Sequence, residues 1–305
     1  MESVRLMRFE HFNLNDSLLR ALRRQGFETP TPIQEKAIPP ALEGQDVLGI
    51  AQTGTGKTAA FVLPSAQRLL SRSDKAPSQA RAAARGGMAR MVVLAPTREL
   101  ALQIADDARQ LTESSGLRVV EVYGGAPLGR QAHQLRQGVD IVIATPGRLM
   151  DHMDRGNVRF DHLEILVLDE ADRMLDMGFL PDIESIISRM PRERQTLLFS
   201  ATMPAAIQAL TYRFMRDPVR VEIENARPPE ALKQQLYPVP KHLKAALLTE
   251  LLRGKAVEST LVFTRTKQDA DVVTRQLRQA GLSVAVMHGD FGQKEREKAL
   301  ERFRA

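Results

Sequence analysis

Seven short runs of apolar residues recur between positions 47 and 223, and most are continuous rather than alternating with polar residues. They read VLGIA (47–51), MVVLA (91–95), LRVVEVY (117–123), DIVIAT (140–145), ILVLD (165–169), TLLFS (196–200) and PVRVEI (218–223). A continuous apolar run predicts a strand that is covered on both faces, as in a parallel sheet. Amphipathic stretches lie between the runs, such as the helix predicted over 98–113 and ended by Gly116. Strands that alternate with helices predict a doubly wound α/β domain.

The pattern breaks at residues 224–233, where ENARPPEALK contains a proline pair, and we interpret this stretch as a linker. Beyond it the alternation restarts, with helices predicted over 241–253, 267–280 and 293–304 and strands over 260–264 and 283–287. A length of 305 residues suits two domains. We therefore expect one domain over 1–223 and a second over 234–305, which has too few strands to be complete when the sequence stops at Ala305.

The segment 71–90, SRSDKAPSQARAAARGGMAR, is biased in composition, with five basic residues against one acid. Such a stretch predicts a mobile surface insertion. A contact with nucleic acid is the alternative, and it is the weaker of the two.

The overall composition narrows the classes of function. The sequence has no cysteine, which excludes a disulfide framework and a thiolate metal site. No apolar run reaches membrane-spanning length and the first residues lack a signal-peptide stretch, so we expect a cytoplasmic protein with no membrane contact. Lys and Arg number 43 against 37 acids, which favours either a polyanionic partner or a basic solvated surface. With no Trp and three Tyr, binding based mainly on base stacking is not expected.

The stretch AQTGTGKTAAF (51–61) follows the first predicted strand and opens a helix. It has the spacing of a phosphate loop, although Ala51 stands where the pattern has its first glycine. Gly54 and Gly56 let backbone N–H groups curl around phosphates, Lys57 reaches the outer phosphates, and the Thr58 hydroxyl holds Mg²⁺. The predicted nucleotide contacts are Gln52, Thr53, Gly54, Thr55, Gly56, Lys57, Thr58 and Ala59. A glycine-rich turn with an incidental lysine is the alternative, and the strand–loop–helix context argues against it.

The stretch ILVLDEADRM (165–174) sets three acids directly after a buried strand. Asp169 is placed like the aspartate that holds Mg²⁺ in phosphate-loop enzymes, because ligands bind outside the carboxyl ends of parallel strands. Glu170 is the candidate general base, or the group that orients the attacking water. Lys57, Asp169 and Glu170 are thus the predicted catalytic residues. Asp172 is either part of this site or a helix N-terminal acid that is favoured by the helix dipole.

These blocks together resemble those of the DEAD-box ATP-dependent RNA helicases, and the resemblance runs from about Phe9 to the end of the sequence. The compact N-terminus and ALEGQDVLGIAQTGTGKTAAF resemble the bacterial RhlE-type branch. The resemblance implies two RecA-like domains, the second incomplete here, with ATP and Mg²⁺ as cofactors. It also implies RNA as the partner, bound through its backbone with little sequence preference.

The resemblance assigns an adenine-reading role to GFETPTPIQ (26–34). Gln34 would hydrogen-bond the adenine edge, Phe27 would pack on its face, and Phe9 would support the motif. A side-chain amide suits adenine because it presents a donor and an acceptor together. Taken alone, Gln34 would be a surface helix residue.

The resemblance also implies RNA-backbone contacts from PTREL (96–100), GG (124–125), TPGR (145–148) and two blocks of the second unit. The residues concerned are Thr97, Arg98, Gly125, Thr145, Arg148, Thr264, Gln293 and Arg296. Ser200 and Thr202 of SAT would bond the DEAD segment, residues 169–172, and would couple the ATP state to strand separation together with Asp172. An ordinary turn or a helix cap is the alternative for each residue taken alone.

The expected function is ATP-driven local unwinding of RNA or remodelling of RNA–protein complexes. By the resemblance, the arginines that reach the γ phosphate lie beyond Ala305, so the 305-residue chain by itself is expected to bind ATP but not to unwind. Three alternatives remain: a related motor acting on DNA, a non-enzymatic RNA clamp that uses ATP as a ligand, and a phosphoryl-transfer kinase. The kinase explains the phosphate loop but not PTREL, SAT or the second unit.

Overall fold

The computed structural model describes residues 7–75, 88–223, 233–253 and 259–304. It divides the chain into two compact units, Met1–Ala226 and Arg227–Ala305. The predicted linker lies outside the described residues except for Lys233.

The first unit contains a parallel sheet of seven strands, as the continuous apolar runs predicted. The strands are β1 (Val47–Ile50), β2 (Met91–Leu94), β3 (Val119–Val122), β4 (Ile141–Ala144), β5 (Ile165–Leu168), β6 (Gln195–Ser200) and β7 (Val219–Glu222). Their order in the sheet is β3-β4-β2-β5-β6-β1-β7, and every pairing is parallel. The predicted α/β fold with a parallel sheet is confirmed.

Nine helices of the first unit flank the sheet within the described residues. They are α1 (Asp16–Arg24), α2 (Pro32–Glu43), α3 (Lys57–Lys75), α4 (Arg98–Thr112), α5 (Leu128–Arg136), α6 (Pro146–Asp154), α7 (Ala171–Asp176), α8 (Leu180–Ser188) and α9 (Ala205–Phe214). Alternate residues of each strand face opposite sides of the sheet. In β5, Ile165 and Val167 pack with α1 to α4, whereas Leu166 and Leu168 pack with α5 to α9. The two cores explain why the strands are apolar throughout.

The strand order divides the carboxyl edge of the sheet into two halves. The loops after β1, β5 and β6 carry the predicted nucleotide and coupling residues, and these three strands are neighbours. The loops after β2, β3 and β4 carry the predicted RNA residues, and these strands are neighbours too. The order changes direction between β2 and β5, a topological switch point of the kind where ligands bind in open α/β sheets.

The prediction of a surface insertion over 71–90 is wrong at both ends of that segment. At its start, α3 continues to Lys75. At its end, Arg90 is 3% exposed, donates to the Leu69 carbonyl at 2.9 Å, and pairs with Glu164 at 2.7 Å. Residues 76–87 lie outside the described part of the chain. The composition of the segment does not reveal that Arg90 is buried. A buried arginine needs partners, and those of Arg90 lie far away in the sequence.

The second unit contains three α-helices among its described residues, at the predicted places, and a short 3-10 helix, Lys241–Leu243, directly before the first of them. They are α10 (Lys244–Arg253), α11 (Lys267–Gln279) and α12 (Gln293–Arg304). The predicted strands 260–264 and 283–287 are wrong as elements, because neither forms a ladder within the described residues. A strand needs a hydrogen-bonded neighbour, and here Phe263 is 90% exposed.

No helix in the described ranges is long and apolar enough to cross a membrane.

Candidate functional site

The phosphate loop, residues 51–56, connects β1 to the N-terminus of α3. Gly54 and Gly56 have φ angles of 86° and 90°, in the left-handed region that favours glycine. A Cβ at Gly56 would lie 2.5 Å from the Nε2 atom of the buried Gln34, whereas a Cβ at Gly54 would meet nothing within 4 Å. The loop therefore presents its backbone openly at a helix N-terminus, an arrangement suited to binding phosphate groups.

Lys57 and Asp169 form a buried pair beneath the phosphate loop. Lys57 Nζ donates to the Ala51 carbonyl at 3.2 Å and lies 3.9 Å from Asp169 Oδ1. Burial raises the pKa of Asp169 to about 6, although the charge of Lys57 opposes the shift. The ammonium alone thus does not offset the cost of burying this carboxylate, and a second cation would be favoured here.

Glu170 is held from two sides. Its backbone is left-handed, with φ of 51°, at the N-cap of α7. The Thr53 hydroxyl of the phosphate loop donates to Oε1 at 2.9 Å, and Arg173 Nη1 donates to Oε2 at 3.1 Å. Glu170 is only 7% exposed, so its carboxylate has a fixed place beside the loop.

The residues present fit a magnesium ion that is bound together with a nucleotide. Within the described ranges, no group of three His, Cys, Asp or Glu forms a metal site by itself. Mg²⁺ commonly takes one or two carboxylates together with substrate phosphates and water. Asp169, with its raised pKa, is suited to that part. Thr58, the other predicted metal contact, follows Lys57 in the first turn of α3, where its side chain is half-buried.

Two other predicted nucleotide contacts, Gln52 and Ala59, differ in exposure. Gln52 is exposed, and its carbonyl accepts from the Thr55 hydroxyl at 2.8 Å within the loop. Ala59 is 6% exposed in the core face of α3, so its methyl group is in the core rather than at the open surface of the loop.

Gln34 is 5% exposed, so its interpretation as a surface helix residue is wrong. Its Oε1 accepts from the Thr31 backbone N–H at 2.8 Å, and its Nε2 donates to the Gly56 carbonyl at 3.0 Å. The Thr31 hydroxyl also donates to the Thr55 carbonyl at 2.7 Å. The start of α2 is thereby tied to the phosphate loop. An amide has two donors and two acceptor positions, so capacity for a base edge remains.

The two predicted aromatic residues of the adenine motif have opposite surroundings. Phe27 is 46% exposed and is available for a ligand face. Phe9 is 3% exposed in the core, with its ring 6.0 Å from that of Phe12. Phe9 therefore fits a supporting part better than direct contact with a nucleotide.

Asp172, Ser200 and Thr202 form one hydrogen-bonded cluster. The Thr202 backbone N–H and hydroxyl both donate to Asp172 Oδ2, at 2.9 and 2.8 Å. The Ser200 hydroxyl accepts from the Asp172 backbone N–H at 3.2 Å and donates to the Thr202 carbonyl at 2.8 Å. Burial would raise the pKa of Asp172, but the hydrogen bonds that its carboxylate accepts, led by the one from the Thr202 hydroxyl, outweigh it and lower the pKa. The end of β6 is thus fastened to the first turn of α7.

Arg98 lies over a loop that we call the glycine-pair loop, residues 123–126. Its guanidinium stacks on the Tyr123 ring, 4.7 Å from the centroid. A Cβ at Gly125, whose φ is 82°, would lie 3.2 Å from Arg98 Nη1. Thr97 caps α4, because its hydroxyl accepts from the Leu100 backbone N–H at 3.2 Å.

Arg148 reaches the same loop from α6. Its Nη1 donates to the Ala126 carbonyl at 2.9 Å and to Gln131 Oε1 at 3.1 Å. Thr145 precedes α6, and its backbone N–H donates to the Val122 carbonyl at 3.0 Å. The predicted RNA residues of the first unit therefore converge on the ends of β2, β3 and β4, with two arginines on one glycine-containing loop.

The predicted RNA residues of the second unit lie in the exposed segment 261–266 and in α12. The Thr264 hydroxyl donates to the Thr266 carbonyl at 2.9 Å. Arg296 lies in the first turns of α12, and Gln293 begins that helix with its side chain outside the described part.

Several residues of this edge were missed by the sequence reasoning. Tyr123 supports Arg98, and Arg173 holds Glu170. Gln131 and His152 form a buried polar group beneath Arg148. The sequence offered one signal for this buried group. Gln131 is a polar residue on the buried face of α5, together with Ala132 and Leu135.

Comparison with protein-family models gives two matches. Residues 31–210 match the model described as DEAD/DEAH box helicase. Residues 243–305 match the model described as Helicase conserved C-terminal domain.

Curated relatives match nearly the whole chain. An ATP-dependent RNA helicase CshA of Listeria monocytogenes is 41% identical over 98% of this chain and 55% of its own length. A DEAD-box ATP-dependent RNA helicase CshA of Bacillus subtilis is 41% identical over 97% of this chain and 58% of its own. DEAD-box ATP-dependent RNA helicase 30 of Arabidopsis thaliana is 42% identical over 97% of this chain. The chain thus spans little more than half the length of the bacterial relatives.

Among solved structures, the crystal structure of a DEAD box protein from Methanococcus jannaschii is similar, with a TM-score of 0.63 and 34% identity. The match covers 98% of this chain and 77% of that one.

Proposed function

The chain belongs to the DEAD/DEAH box helicase family, and from this premise we propose that the protein is an ATP-dependent RNA helicase. It would couple ATP binding and hydrolysis to local unwinding of RNA or remodelling of RNA–protein complexes. The proposal concerns the whole protein, because the chain spans 55% and 58% of the lengths of the two bacterial relatives. Its domains would be 1–223 and 234–305, joined by the linker 224–233, and its location the cytoplasm.

The observation that carries the proposal is the buried pair of Lys57 and Asp169, 3.9 Å apart beside an open glycine loop. In the proposed reaction the loop amides and Lys57 bind the phosphates of ATP. Gln34 reads the adenine edge, and Phe27 covers its face. Glu170, fixed by Thr53 at 2.9 Å, orients the attacking water and accepts its proton.

The magnesium ion would be held by Asp169 and by the Thr58 hydroxyl. When bound, Mg²⁺ neutralises charge on the phosphate oxygens. Its charge also favours the ionised form of Asp169, whose pKa is raised to about 6 by burial.

RNA would bind along the ends of β2, β3 and β4. Arg98 and Arg148 supply positive charge, and the exposed Gly125 supplies backbone for close approach to phosphates. Contacts of this type carry little sequence information. The cluster of Asp172, Ser200 and Thr202 joins the acidic segment to β6 and is the proposed route of coupling between ATP state and RNA.

The relatives also bear on which branch of the family the protein belongs to. The RhlE-type assignment finds no support in the bacterial relatives above, which carry the name CshA. Membership of the family rests on the match over residues 31–210 and does not depend on the branch.

The test separates nucleotide binding from turnover. In the whole protein, Glu170→Gln is expected to keep affinity for fluorescent ATP with Mg²⁺ but to lower RNA-stimulated hydrolysis about 100-fold or more, because an amide is a poor base. Lys57→Ala is expected to weaken nucleotide binding itself. Asp176→Asn, an exposed acid at the end of α7, is the matched control and should change neither quantity.

Two outcomes would contradict the proposal. Equal loss of nucleotide affinity in the Lys57 and Glu170 variants would show that the division of roles is wrong. Stimulation of hydrolysis by DNA as strong as that by RNA would favour the DNA motor, because only RNA offers a 2′-hydroxyl.

A further inference from the structure

A buried polar group lies beneath the proposed RNA surface and takes no part in the proposed chemistry. Gln131 of α5 is 3% exposed, and His152 of α6 is fully buried. His152 Nε2 lies 3.2 Å from Gln131 Oε1. A buried polar pair costs free energy unless its hydrogen bonds are satisfied, so its contacts indicate what it holds in place.

Gln131 contacts both arms of the glycine-pair loop. Its Nε2 donates to the Tyr123 carbonyl at 3.1 Å, which is where the loop leaves β3. Its Oε1 accepts from Arg148 Nη1 at 3.1 Å, and the same Nη1 donates to the Ala126 carbonyl at 2.9 Å. One amide thus fixes the beginning of the loop directly and its far end through Arg148.

His152 fixes the orientation of that amide. Gln131 Oε1 is an acceptor, so His152 Nε2 must carry the proton that it shares with this oxygen. On the other side of the ring, Asn157 Nδ2 lies 3.2 Å from His152 Nδ1 and donates to it, because Asn157 Oδ1 accepts from Arg136 at 3.3 Å. The network therefore specifies a neutral imidazole that is protonated on Nε2. Burial, followed by the charge of Arg148, lowers the pKa of His152 and favours the same neutral form.

The spacing on α6 makes this arrangement possible. Arg148 and His152 are four residues apart, so they lie on the same face of the helix, one above the other. That face meets α5 at Gln131. A histidine one turn below the arginine can therefore orient the glutamine that the arginine contacts.

We propose that Gln131 and His152 are positioning residues for RNA binding, which hold the Arg148 guanidinium and the glycine-pair loop in the arrangement that receives the RNA backbone. This inference rests on the proposed function. The side chains are buried, so they act through Arg148 and the loop rather than on RNA. Preorganisation lowers the entropy cost of binding, because a long arginine side chain is otherwise free to move.

The test measures binding of a fluorescein-labelled single-stranded oligouridine to the full 305-residue chain, with Mg²⁺ and a non-hydrolysable ATP analogue. Gln131→Leu removes every hydrogen bond of the amide and is expected to weaken RNA binding about threefold to tenfold. In the Arg148→Ala background, Gln131→Leu is expected to have little further effect, because it acts through Arg148. Affinity for the ATP analogue should not change in either variant.

Two histidine variants separate orientation from packing. A glutamine amide places its nitrogen near the position of Nε2, so His152→Gln is expected to retain RNA affinity within about twofold. An asparagine is too short to reach Gln131, so His152→Asn is expected to weaken binding about as much as Gln131→Leu. Thr211→Val is the matched control, because it removes another buried hydrogen bond, 2.9 Å to the Ile207 carbonyl on α9, and should leave RNA binding unchanged.

The outcomes distinguish this inference from the proposed function. If Arg148→Ala leaves RNA affinity unchanged, the proposed RNA site is wrong. If Arg148→Ala weakens binding but Gln131→Leu does not, or if the two effects simply add, only the positioning role is wrong. A long-range ¹H–¹⁵N spectrum of the wild-type chain needs no variant to fold, and a proton on His152 Nδ1 instead of Nε2 would overturn the proposed network.

Discussion

At the scale of single residues, two adjacent carboxylates have different surroundings that suit different roles. Asp169 is 3% exposed with a lysine 3.9 Å away, and burial raises its pKa to about 6. Glu170 has a left-handed backbone conformation, and its carboxylate accepts hydrogen bonds from Thr53 and Arg173. The first arrangement favours a metal cation, and the second fixes a group that handles water. Two neighbouring carboxylates in different environments commonly have different roles in one reaction.

Gln34 carries a prediction at the same scale, because its amide both supports the phosphate loop and would read the base. The wild-type chain is expected to prefer ADP over GDP by at least about tenfold, since guanine presents O6 where adenine presents an amino group. Gln34→Ala should lose this preference and should also weaken ADP binding, because the bonds to Thr31 and Gly56 disappear. Titration with fluorescent ADP and GDP measures both effects.

The control for this prediction is Lys36→Ala, an exposed change on the same helix, which should leave both affinities unaltered. Equal affinity of the wild-type chain for ADP and GDP would contradict the adenine-reading role of Gln34.

At the scale of elements, the sequence predicted the strands and helices whose pattern depends only on residues that are close together in the chain. The strands of the first unit were found because continuous apolar runs report burial on both faces. The segments 260–264 and 283–287 have the same local pattern, but they form no ladder within the described residues. A ladder depends on a neighbouring strand, which a local pattern does not contain. Arg90 was misread for a related reason, since its buried partners lie elsewhere in the sequence. The burial of Gln34 likewise depends on a distant partner, Gly56, although the residue itself was predicted as a nucleotide contact.

The same distinction applies to the site. The phosphate loop and the acidic segment were predictable, because their chemistry depends on residue types at fixed spacing. The support beneath Arg148 was not predictable in this way, because Gln131 and His152 come from two helices that meet only in the fold.

The contact between α5 and α6 carries a prediction about pH. The charged groups around His152 are Arg148, Asp151 and Arg155 on its own side, and Arg136 on α5, which is linked to it through Asn157. Burial of the ring is the largest cause of its lowered pKa, and the two nearest arginines add to the effect while Asp151 opposes it. Protonation in the folded state is therefore disfavoured.

The unfolded chain takes up a proton at this histidine near its ordinary pKa of about 6.5, whereas the folded chain resists until a lower pH. The stabilising contribution of neutral His152 is thus present above pH 6.5 and is lost as the pH falls from there towards the folded pKa. His152→Gln does not titrate, so the excess stability of the wild type over this variant should shrink between pH 7.5 and 5.5. Urea unfolding at several pH values measures the difference, and a constant difference across that range would contradict a buried neutral histidine.

At the scale of the whole molecule, burial is distributed unequally between the two units. Every buried hydrophobic residue among those described lies between Phe9 and Val221, except Leu277 of α11. The first unit has a core on each face of its sheet, and both cores are built from its own residues. In the second unit Leu236, Leu261 and Phe263 are 89%, 67% and 90% exposed. Independent folding is therefore expected of the first unit only, because burial of apolar surface is the main favourable term in folding.

The unequal burial of apolar residues in the two units predicts how fast the backbone amides of each unit exchange with solvent. In hydrogen–deuterium exchange on the full chain, α10 and α12 are expected to exchange fastest, α11 more slowly because it contains Leu277, and the strands of the first unit slowest.

A chain ending at Ala226 is expected to bind fluorescent ADP with Mg²⁺ within about twofold of the full chain, because the phosphate loop, Lys57 and Asp169 all lie before that residue. Its main thermal transition should also be unchanged. A large fall in ADP affinity or in melting temperature would show that the second unit stabilises the nucleotide site, and the assignment of an independent first domain would then be wrong.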